Sequence, residues 1–181
     1  DDAPRVGAPL LVERPAHWVS VVWLLATWSV GGTVVALPAA VVEQPGPVDV
    51  VVCGPEIEAG IGGADTIVCS LHPLGLGMAN LAPGLIDYHD VLGQPDLHTP
   101  ASPELGGVWL IEKRRQLTGT ELSSARPIGD RTLAQPDEPG EVAALIWGVL
   151  VGGGSLVLID GVATEAQLTQ IAEDERSAWQ A

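Results

Sequence analysis

The residues best suited to contact an anion form one basic cluster, Lys113, Arg114 and Arg115, which contains the single lysine of the 181-residue chain. Three adjacent cations could attract a phosphate or a carboxylate. Loops that fix a phosphate also need several converging backbone N–H groups, which is why they are rich in glycine. A solvated hairpin turn is the competing interpretation. We therefore treat these three residues as candidate anion-binding residues without assigning them a ligand.

Histidines and aspartates in the middle of the chain are the second group that could do chemistry, as metal ligands. Their spacing fits none of the compact patterns of metal sites, so positions in surface loops are favoured. A hydrolase triad has no support, because no serine lies in a G-x-S-x-G elbow and neither cysteine has an adjacent base. We predict no catalytic residue and no metal site. The residues weighed as metal ligands are His72, His89 and His98 with Asp87, Asp90 and Asp96.

A partial glycine motif, Gly75-Leu76-Gly77, follows an apolar run at residues 66–71. A dinucleotide-binding fingerprint needs a third glycine at the start of a helix, and Pro73 interrupts the connection from strand to helix. The motif therefore predicts a turn, and we expect no cofactor.

Composition limits the class of partner. The net charge is −15, so the basic surface that binds nucleic acid or an anionic membrane is missing, and nucleic acid is not expected as a partner. Apolar residues make up 46% of the chain and charged residues 17%, which is typical of a packed domain. The chain starts without Met inside an apparent strand, so we expect that residues precede it.

Two runs without Asp, Glu, Lys or Arg, at residues 17–42 and 142–159, pass the crude length test for a membrane span. Each is interrupted by glycines, at Gly31-Gly32 and at residues 152–154, and then continues as a strand-like segment. Neither is flanked by the Lys/Arg asymmetry of membrane proteins. We expect buried helix–turn–strand units in a cytoplasmic protein, with no membrane partner.

The two cysteines, Cys53 and Cys69, each follow a β-branched apolar run. Buried free thiols behave as small hydrophobic groups, and nothing else in the sequence is typical of a secreted, disulfide-bonded protein. We predict two free thiols near the ends of strands in one sheet.

Apolar patterning predicts the elements that position these residues. Gly7 and Pro9 favour an edge position for the first strand. Pro15 is predicted to open the first helix, and residues 73–103 read as a long connection between two halves. The predicted strands cover residues 6–12, 33–37, 48–53, 66–71, 107–112, 115–117, 130–134 and 155–159, and the predicted buried helices cover residues 15–30 and 141–151.

Two capping boxes mark further helix starts, at Thr118 with Glu121 and at Thr164 with Gln167. Pro127 follows the first capping box closely. Either the helix that begins at Thr118 is a short stub, or the sequence lacks residues at this point. The second box opens an amphipathic helix, predicted to pack on the sheet and to continue through Ala178 and Trp179. Within the first long helix, tryptophans recur every five residues, at positions 18, 23 and 28, so we expect some in the core and at least one exposed.

The order strand, Pro-bearing loop, uncharged helix, glycines and strand occurs twice, in RVGAPLLVERPAHWVSVVWLLATWSVGGTVVAL and in IGDRTLAQPDEPGEVAALIWGVLVGGGSLVLID. This symmetry resembles the paired subdomains in the large domain of adenylate-forming enzymes, the acyl-CoA synthetase and luciferase superfamily. More narrowly, PAHWVSVVWLLATWSVGGTVV, SLHPLG, GLIDY and LTGTEL are similar to short actinobacterial relatives of those enzymes without an assigned reaction. The resemblance implies an α/β fold of two pseudo-repeated subdomains, residues 1–100 and 101–181, with mainly parallel sheets flanked by helices.

The resemblance breaks down at the motifs that carry chemistry. Working members hold the ATP phosphates with a Ser/Thr/Gly-rich loop ending in Pro-Lys, and GVWLIEKRRQLTGTEL stands in its place here. Their aromatic-His motif is matched only by QPDEPG. We therefore expect a non-catalytic relative, retained for ligand binding or assembly. Two alternatives stay open: an enzyme of altered chemistry that binds a nucleotide or an acyl group between the subdomains, and a structural homo-oligomer.

Overall fold

A computed structural model describes residues 3–36, 48–58, 60, 63–95, 97–101, 104–113 and 115–179, with the side chain of residue 179 outside the description. In chain order the elements are β1 (Arg5–Gly7), α1 (Pro9–Glu13), α2 (Trp18–Ser29), β2 (Thr33–Ala36), β3 (Val50–Cys53), β4 (Asp65–Val68), β5 (Leu85–Asp87), α3 (Tyr88–Val91), β6 (Val108–Glu112), β7 (Arg115–Thr118), α4 (Gly119–Ser123), β8 (Arg131–Ala134), α5 (Pro139–Gly152), β9 (Ser155–Leu158), α6 (Glu165–Asp174) and β10 (Ala178–Trp179).

The described elements form two sheets flanked by helices. The larger sheet has seven strands in the order β5-β4-β3-β1-β2-β6-β7, and the smaller has three in the order β10-β8-β9. All neighbouring strands are parallel except β6 and β7. The expected α/β class with mainly parallel sheets is confirmed.

The first strand, β1, lies at the centre of the larger sheet, between β3 and β2, so the edge position predicted from Gly7 and Pro9 is wrong. The strand ends at Gly7, and Pro9 is in the first turn of α1, where its missing N–H costs nothing. Ala8 still donates its N–H to the carbonyl of Val35 at 2.8 Å. A short helix thus replaces the second half of the strand predicted for residues 6–12.

The first long helix, α2, begins at Trp18 and not at Pro15. His17 is its N-cap, and Nδ1 of that histidine accepts a hydrogen bond from the N–H of Val19 at 3.3 Å. Trp28 is buried, and its indole N–H donates to a strand carbonyl of β6 at 3.0 Å, whereas Trp18 is 39% exposed. The predicted division of the tryptophans between core and surface is therefore confirmed.

The segment at residues 73–103, predicted to be a connection, contains β5 and α3. β5 pairs with β4 at one edge of the larger sheet. Asp87 ends the strand and caps α3, since its Oδ1 accepts from the N–H of His89 at 2.9 Å. A three-residue strand is too short to show an alternating pattern, which is why the sequence did not reveal it.

The two similar sequence segments have the same order of elements, with α2 between the parallel neighbours β1 and β2, and α5 between β8 and β9. Gly31 and Gly153 end the two helices, with φ of 75° and 74°. The glycine that follows each of them has no room for a side chain. A Cβ on Gly32 would lie 2.7 Å from the carbonyl oxygen of Pro4, and one on Gly154 would lie 2.5 Å from the carbonyl oxygen of Asp130, just before β8.

Strands β6 and β7 form an antiparallel hairpin in which Glu112 pairs with Arg115, so the connection between the strands is two residues long. Both hydrogen bonds of the capping box predicted at Thr118 are present, and α4 has only five residues, which agrees with the first of the two alternatives, a stub. Because β6 and β7 belong to the larger sheet, all described strands of that sheet precede α4 and those of the smaller sheet follow it.

The second capping box, Thr164 with Gln167, opens α6 as predicted. The helix ends earlier than expected, because Arg176 adopts a left-handed conformation with φ of 51°, and Ala178 begins β10 beside β8. The prediction that the helix continues through residues 178 and 179 is wrong. None of the residues of α6 is fully buried, so its apolar side packs only partly on the rest of the protein.

The main core lies where α2 and α5 pack against β2 and β6. Trp28 contacts Trp109 there, with ring centroids 5.5 Å apart, and Ile146 of α5 belongs to the same cluster. α5 thereby joins the smaller sheet to the larger one. Among the described residues, no helix has both the length and the apolar character needed to cross a membrane.

Candidate functional site

Three cavities surround the loop between β8 and α5, residues 135–138, and together we call them the carboxyl-end cleft. The first, of about 370 Å³, is lined by Glu112 at the end of β6. The second, of about 380 Å³, is lined by Ile128 and Leu145, and the third, of about 270 Å³, by Arg14 and Asp160. Residues that follow β1, β6, β8 and β9 therefore meet here. Open α/β sheets commonly bind ligands at this end of their strands.

Glu112 occupies the N-terminus of α5. The residue is only 7% exposed, and its Oε2 accepts a hydrogen bond from the N–H of Gly140 at 2.8 Å. Gly140 leaves room for the carboxylate, since a Cβ there would lie 2.6 Å from Oε1 of Glu112. The free N–H groups and the dipole of a helix N-terminus attract anions. A carboxylate of the protein itself is therefore already bound at this end of α5.

Of the candidate anion-binding residues, Arg115 lines the first cavity, and Lys113 is paired with Glu138, another residue of its wall. Nζ of Lys113 is 2.6 Å from Oε1 of Glu138, and this hydrogen bond and the charge of Glu138 raise the pKa of Lys113 above its ordinary value. Lys113 has φ of 54°, which confirms the predicted hairpin turn. Arg115 is exposed and lines the cavity, whereas Arg114 lies outside the described residues. Anion binding by this cluster stays a prediction.

The carboxylates of the first two cavities hold backbone groups in place. Glu121 accepts hydrogen bonds from the N–H and the hydroxyl of Thr118, at 2.7 and 2.9 Å, and these lower its pKa. Oε2 of Glu141 accepts from the N–H of Asp137 at 3.0 Å. A carboxylate engaged in this way fixes local structure, and the cationic side chains that line these two cavities are Arg115 and Arg126.

The third cavity is crossed by an ion pair between distant parts of the chain. Nη1 of Arg14 lies 3.1 Å from Oδ2 of Asp160, and the two side chains are 50% and 28% exposed. Pairs this exposed contribute about 0–1 kcal/mol. Next to it, the amide of Gln135 donates to the carbonyl of Gly161 at 2.5 Å. These contacts fix the position of the loop after β9 relative to the loop after β8.

Three of the residues weighed as metal ligands, His72, His89 and Asp87, make local hydrogen bonds. Nδ1 of His72 accepts from a backbone N–H two residues later at 3.1 Å, and Nδ1 of His89 lies 3.3 Å from the carbonyl oxygen of Gly75. Asp87 also accepts from the N–H of Met78 at 2.6 Å. Within the described ranges, which leave out residue 96, no three His, Cys, Asp or Glu side chains are grouped so that they could hold a metal ion.

The partial glycine motif forms the turn that the sequence predicted. Gly75 has φ of 64°, and its N–H donates to the carbonyl of His72 at 2.8 Å. A Cβ on Gly77 would lie 2.9 Å from Oδ2 of Asp87. Both glycines are therefore needed for the folding of this loop onto β5.

The two cysteines lie at the ends of neighbouring strands, as predicted, and both are free and buried. The N–H of Cys69 donates to the carbonyl of Cys53 at 2.9 Å. Burial raises the pKa of each thiol from 9.0 to about 12. Because the thiolate is the reactive form, neither residue is a nucleophile near neutral pH.

Sequence reasoning missed Glu112 and Gly140, the pair that occupies the end of α5. The sequence contained one indication of this pair, because an acidic residue ends the otherwise apolar strand VWLIE. Its partner, however, is 28 residues away along the chain. No protein-family model matches the chain, and no curated protein matches it in sequence.

Proposed function

We propose that the chain is a non-catalytic relative of the adenylate-forming enzymes, and that it uses their α/β architecture for ligand binding or assembly instead of acyl activation. The sequence symmetry and the two β–α–β units support this relationship. The main support for the absence of acyl activation is the carboxylate of Glu112, which lies at the N-terminus of α5.

Glu112 and the hairpin together disfavour a bound triphosphate. The connection between Glu112 and Arg115 is two residues long, which is too short to present several N–H groups to one phosphate. A phosphate at the end of α5 would have to displace a carboxylate that is attached to the same protein, and Glu138 and Glu141 lie close by. Cations such as Lys113 would attract ATP without fixing its α-phosphorus for in-line attack, and positioning supplies much of the catalysis in phosphate chemistry.

The carboxyl-end cleft supports a second candidate, an enzyme of altered chemistry that binds a nucleotide or an acyl group. Its cavities of about 370 and 380 Å³ share Ala125, Glu141 and Ala144, so that one ligand could extend through both. The second cavity has an apolar wall, which suits an acyl chain better than a charged nucleotide.

Two measurements test these proposals together. ATP–pyrophosphate exchange is measured with a panel of carboxylic acids, and we expect no acid-dependent signal. Exchange that depends on the acid, and that survives Lys113→Ala, would overturn the non-catalytic proposal. Thermal unfolding is then followed with ATP, AMP, CoA and fatty acids, because a ligand at a hundredfold excess over its Kd adds about 2.7 kcal/mol, or roughly 5–10 °C.

The pattern of thermal shifts separates the candidates. A shift with a fatty acid that is abolished by Leu145→Glu, but not by the exposed control Leu74→Glu, would place an acyl ligand in the second cavity. Shifts with ATP or AMP would favour the nucleotide-binding alternative. No shift with any of these compounds would favour assembly over ligand binding.

A further inference from the structure

One edge of β9 is open among the strands that the structure describes, since β9 pairs with β8 on one side only. Natural edge strands usually carry a charge, a proline or a bulge that prevents pairing with another chain. β9 is Ser-Leu-Val-Leu, and no charged residue lies between residues 142 and 159. In a chain with a net charge of −15, β9 is therefore unusual in carrying no charge, and the next acidic residue, Asp160, is paired with Arg14.

The hydrogen bonds of β9 show which residues face outward. Ser155 donates its N–H to a β8-side carbonyl at 3.2 Å, and Ile159 donates to the carbonyl of Ala134 at 3.0 Å. Backbone groups of a strand point alternately to its two sides, so residues 155, 157 and 159 face β8. Leu156 and Leu158 consequently present their N–H and C=O groups to the open edge.

Exposed apolar side chains lie shortly before and shortly after β9 in the chain. Leu150 and Val151, just before the turn into β9, are 60% and 57% exposed, and Val162, just after the strand, is 99% exposed. If an identical strand pairs antiparallel to β9, the start of one strand lies beside the end of the other. Leu150 and Val151 of one copy would then lie beside Val162 of the second, so this surface is complementary to itself.

We propose, independently of the function above, that two copies of the chain form a dimer by antiparallel pairing of their β9 strands. A twofold axis beside Val157 makes Leu156 of each copy face Leu158 of the other, so all outward N–H and C=O groups of these residues are paired. The two three-stranded sheets become one sheet of six strands. The copies repel each other through their net charges, so the dimer is stronger at high salt than at low salt.

The register is tested by cross-linking the full chain with Val157→Cys under mild oxidation. Residues 157 of the two copies form a non-hydrogen-bonded pair, whose Cα atoms are ~4.5 Å apart, within the range for a disulfide. The control is Ser155→Cys, because the two residues 155 are separated by four residues along the strand direction, or ~13 Å. The native thiols do not compete, since burial raises the pKa of Cys53 and Cys69 to about 12.

The dimer itself is measured by sedimentation velocity over a range of concentration and salt. Leu150→Glu places a charge against the second copy and is expected to raise the dimer Kd by about tenfold or more. Leu74→Glu, an equal charge change at a residue that is 79% exposed and distant in the chain, is expected to leave Kd unchanged. Thermal unfolding of each variant shows that it is folded.

Three results would overturn the proposal. One is a monomer at every concentration and salt. Another is a dimer that responds equally to Leu150→Glu and Leu74→Glu, and the third is a dimer in which folded Val157→Cys forms no disulfide. If Val157→Cys does not fold, the comparison of the two glutamate variants decides.

Discussion

Glu112 offers the sharpest test of how the two sheets are joined, because its carboxylate links the end of β6 to the start of α5. A hydrogen bond to a charged group contributes about 1.5–3 kcal/mol, against about 0.5–1.5 for a neutral one. The interaction of the charge with the helix dipole adds about 0.3–1 kcal/mol. Relief of the desolvation of a buried charge opposes this loss. For Glu112→Gln, which keeps the shape and one acceptor oxygen, we expect a net loss of about 1 kcal/mol.

For Glu112→Ala the loss is larger, because the acceptor and one buried methylene group disappear. The methylene group accounts for about 0.8 kcal/mol, and with a hydrogen bond to a charged group of about 2 kcal/mol the total is about 3 kcal/mol. In urea denaturation, with a slope of about 2 kcal/mol/M, the midpoint should fall by about 0.5 M for Glu112→Gln and about 1.5 M for Glu112→Ala. Glu138→Gln is the matched control, since Glu138 pairs with the exposed Lys113, and its midpoint should not change measurably.

The reasoning is refuted if Glu112→Gln unfolds at the same midpoint as the native chain, or at a higher one. The buried carboxylate would then cost as much in desolvation as it gains at the helix end. A loss equal to that of Glu112→Ala would show instead that the charge carries the whole effect. The slope must be unchanged in both variants for the midpoints to report stability.

Three further predictions concern the thiols, a glycine and a helix cap. Folding raises the pKa of Cys53 and Cys69 from 9.0 to about 12, so the stability due to the protonated thiols is complete below pH 9 and is lost as the pH rises from there towards 12. Urea denaturation at increasing pH should show that loss, and a thiol reagent at neutral pH should react with two groups only after unfolding. Gly152→Ala should destabilise by about 1–3 kcal/mol, although alanine normally favours a helix, because its Cβ would overlap the backbone of Ile128; an unchanged midpoint would contradict the packing. Thr164→Ala should cost about 1 kcal/mol by removing the cap of α6, and no change would show that this helix end is held by other contacts.

Local chemistry made a large part of the fold predictable. Both capping boxes depend on residues three positions apart, so Thr118 and Thr164 could be recognised without the rest of the protein. The turn at Lys113 and the helix-ending glycines, Gly31 and Gly153, are equally local signals. Interior strands such as β3 were visible as continuous apolar runs, because both faces of a parallel sheet are covered.

The predictions that were wrong concern residues whose local sequence pattern fits two different structures. Pro9 is compatible with an edge strand or with the first turn of a helix, and only the pairing of β1 with two neighbours excludes the edge. Ala178 continues the helical spacing of α6, but Arg176 turns the chain back so that Ala178 pairs with Thr132 of β8. Burial against another strand outweighs the weak helical preference of a few residues.

Only the location of the candidate site, and not its residues, was predictable from the sequence. Strand order is a property of the folded chain, but a mainly parallel α/β sheet already implies that ligands bind at the carboxyl ends of its strands. Which side chains lie there was not predictable. The basic cluster at Lys113 attracted attention, whereas Glu112 next to it occupies the end of α5.

The sequence by itself determined the α/β class, the turn at Lys113, the capped helix starts and the acidic, cysteine-poor character of the chain, because each depends on composition or on residues a few positions apart. Tertiary structure alone decided the central position of β1, the contact of Glu112 with Gly140 and the open edge of β9. These features join segments that are distant in sequence. The free energy that selects them comes from burying apolar surface and satisfying backbone groups across the whole domain, which no local pattern records.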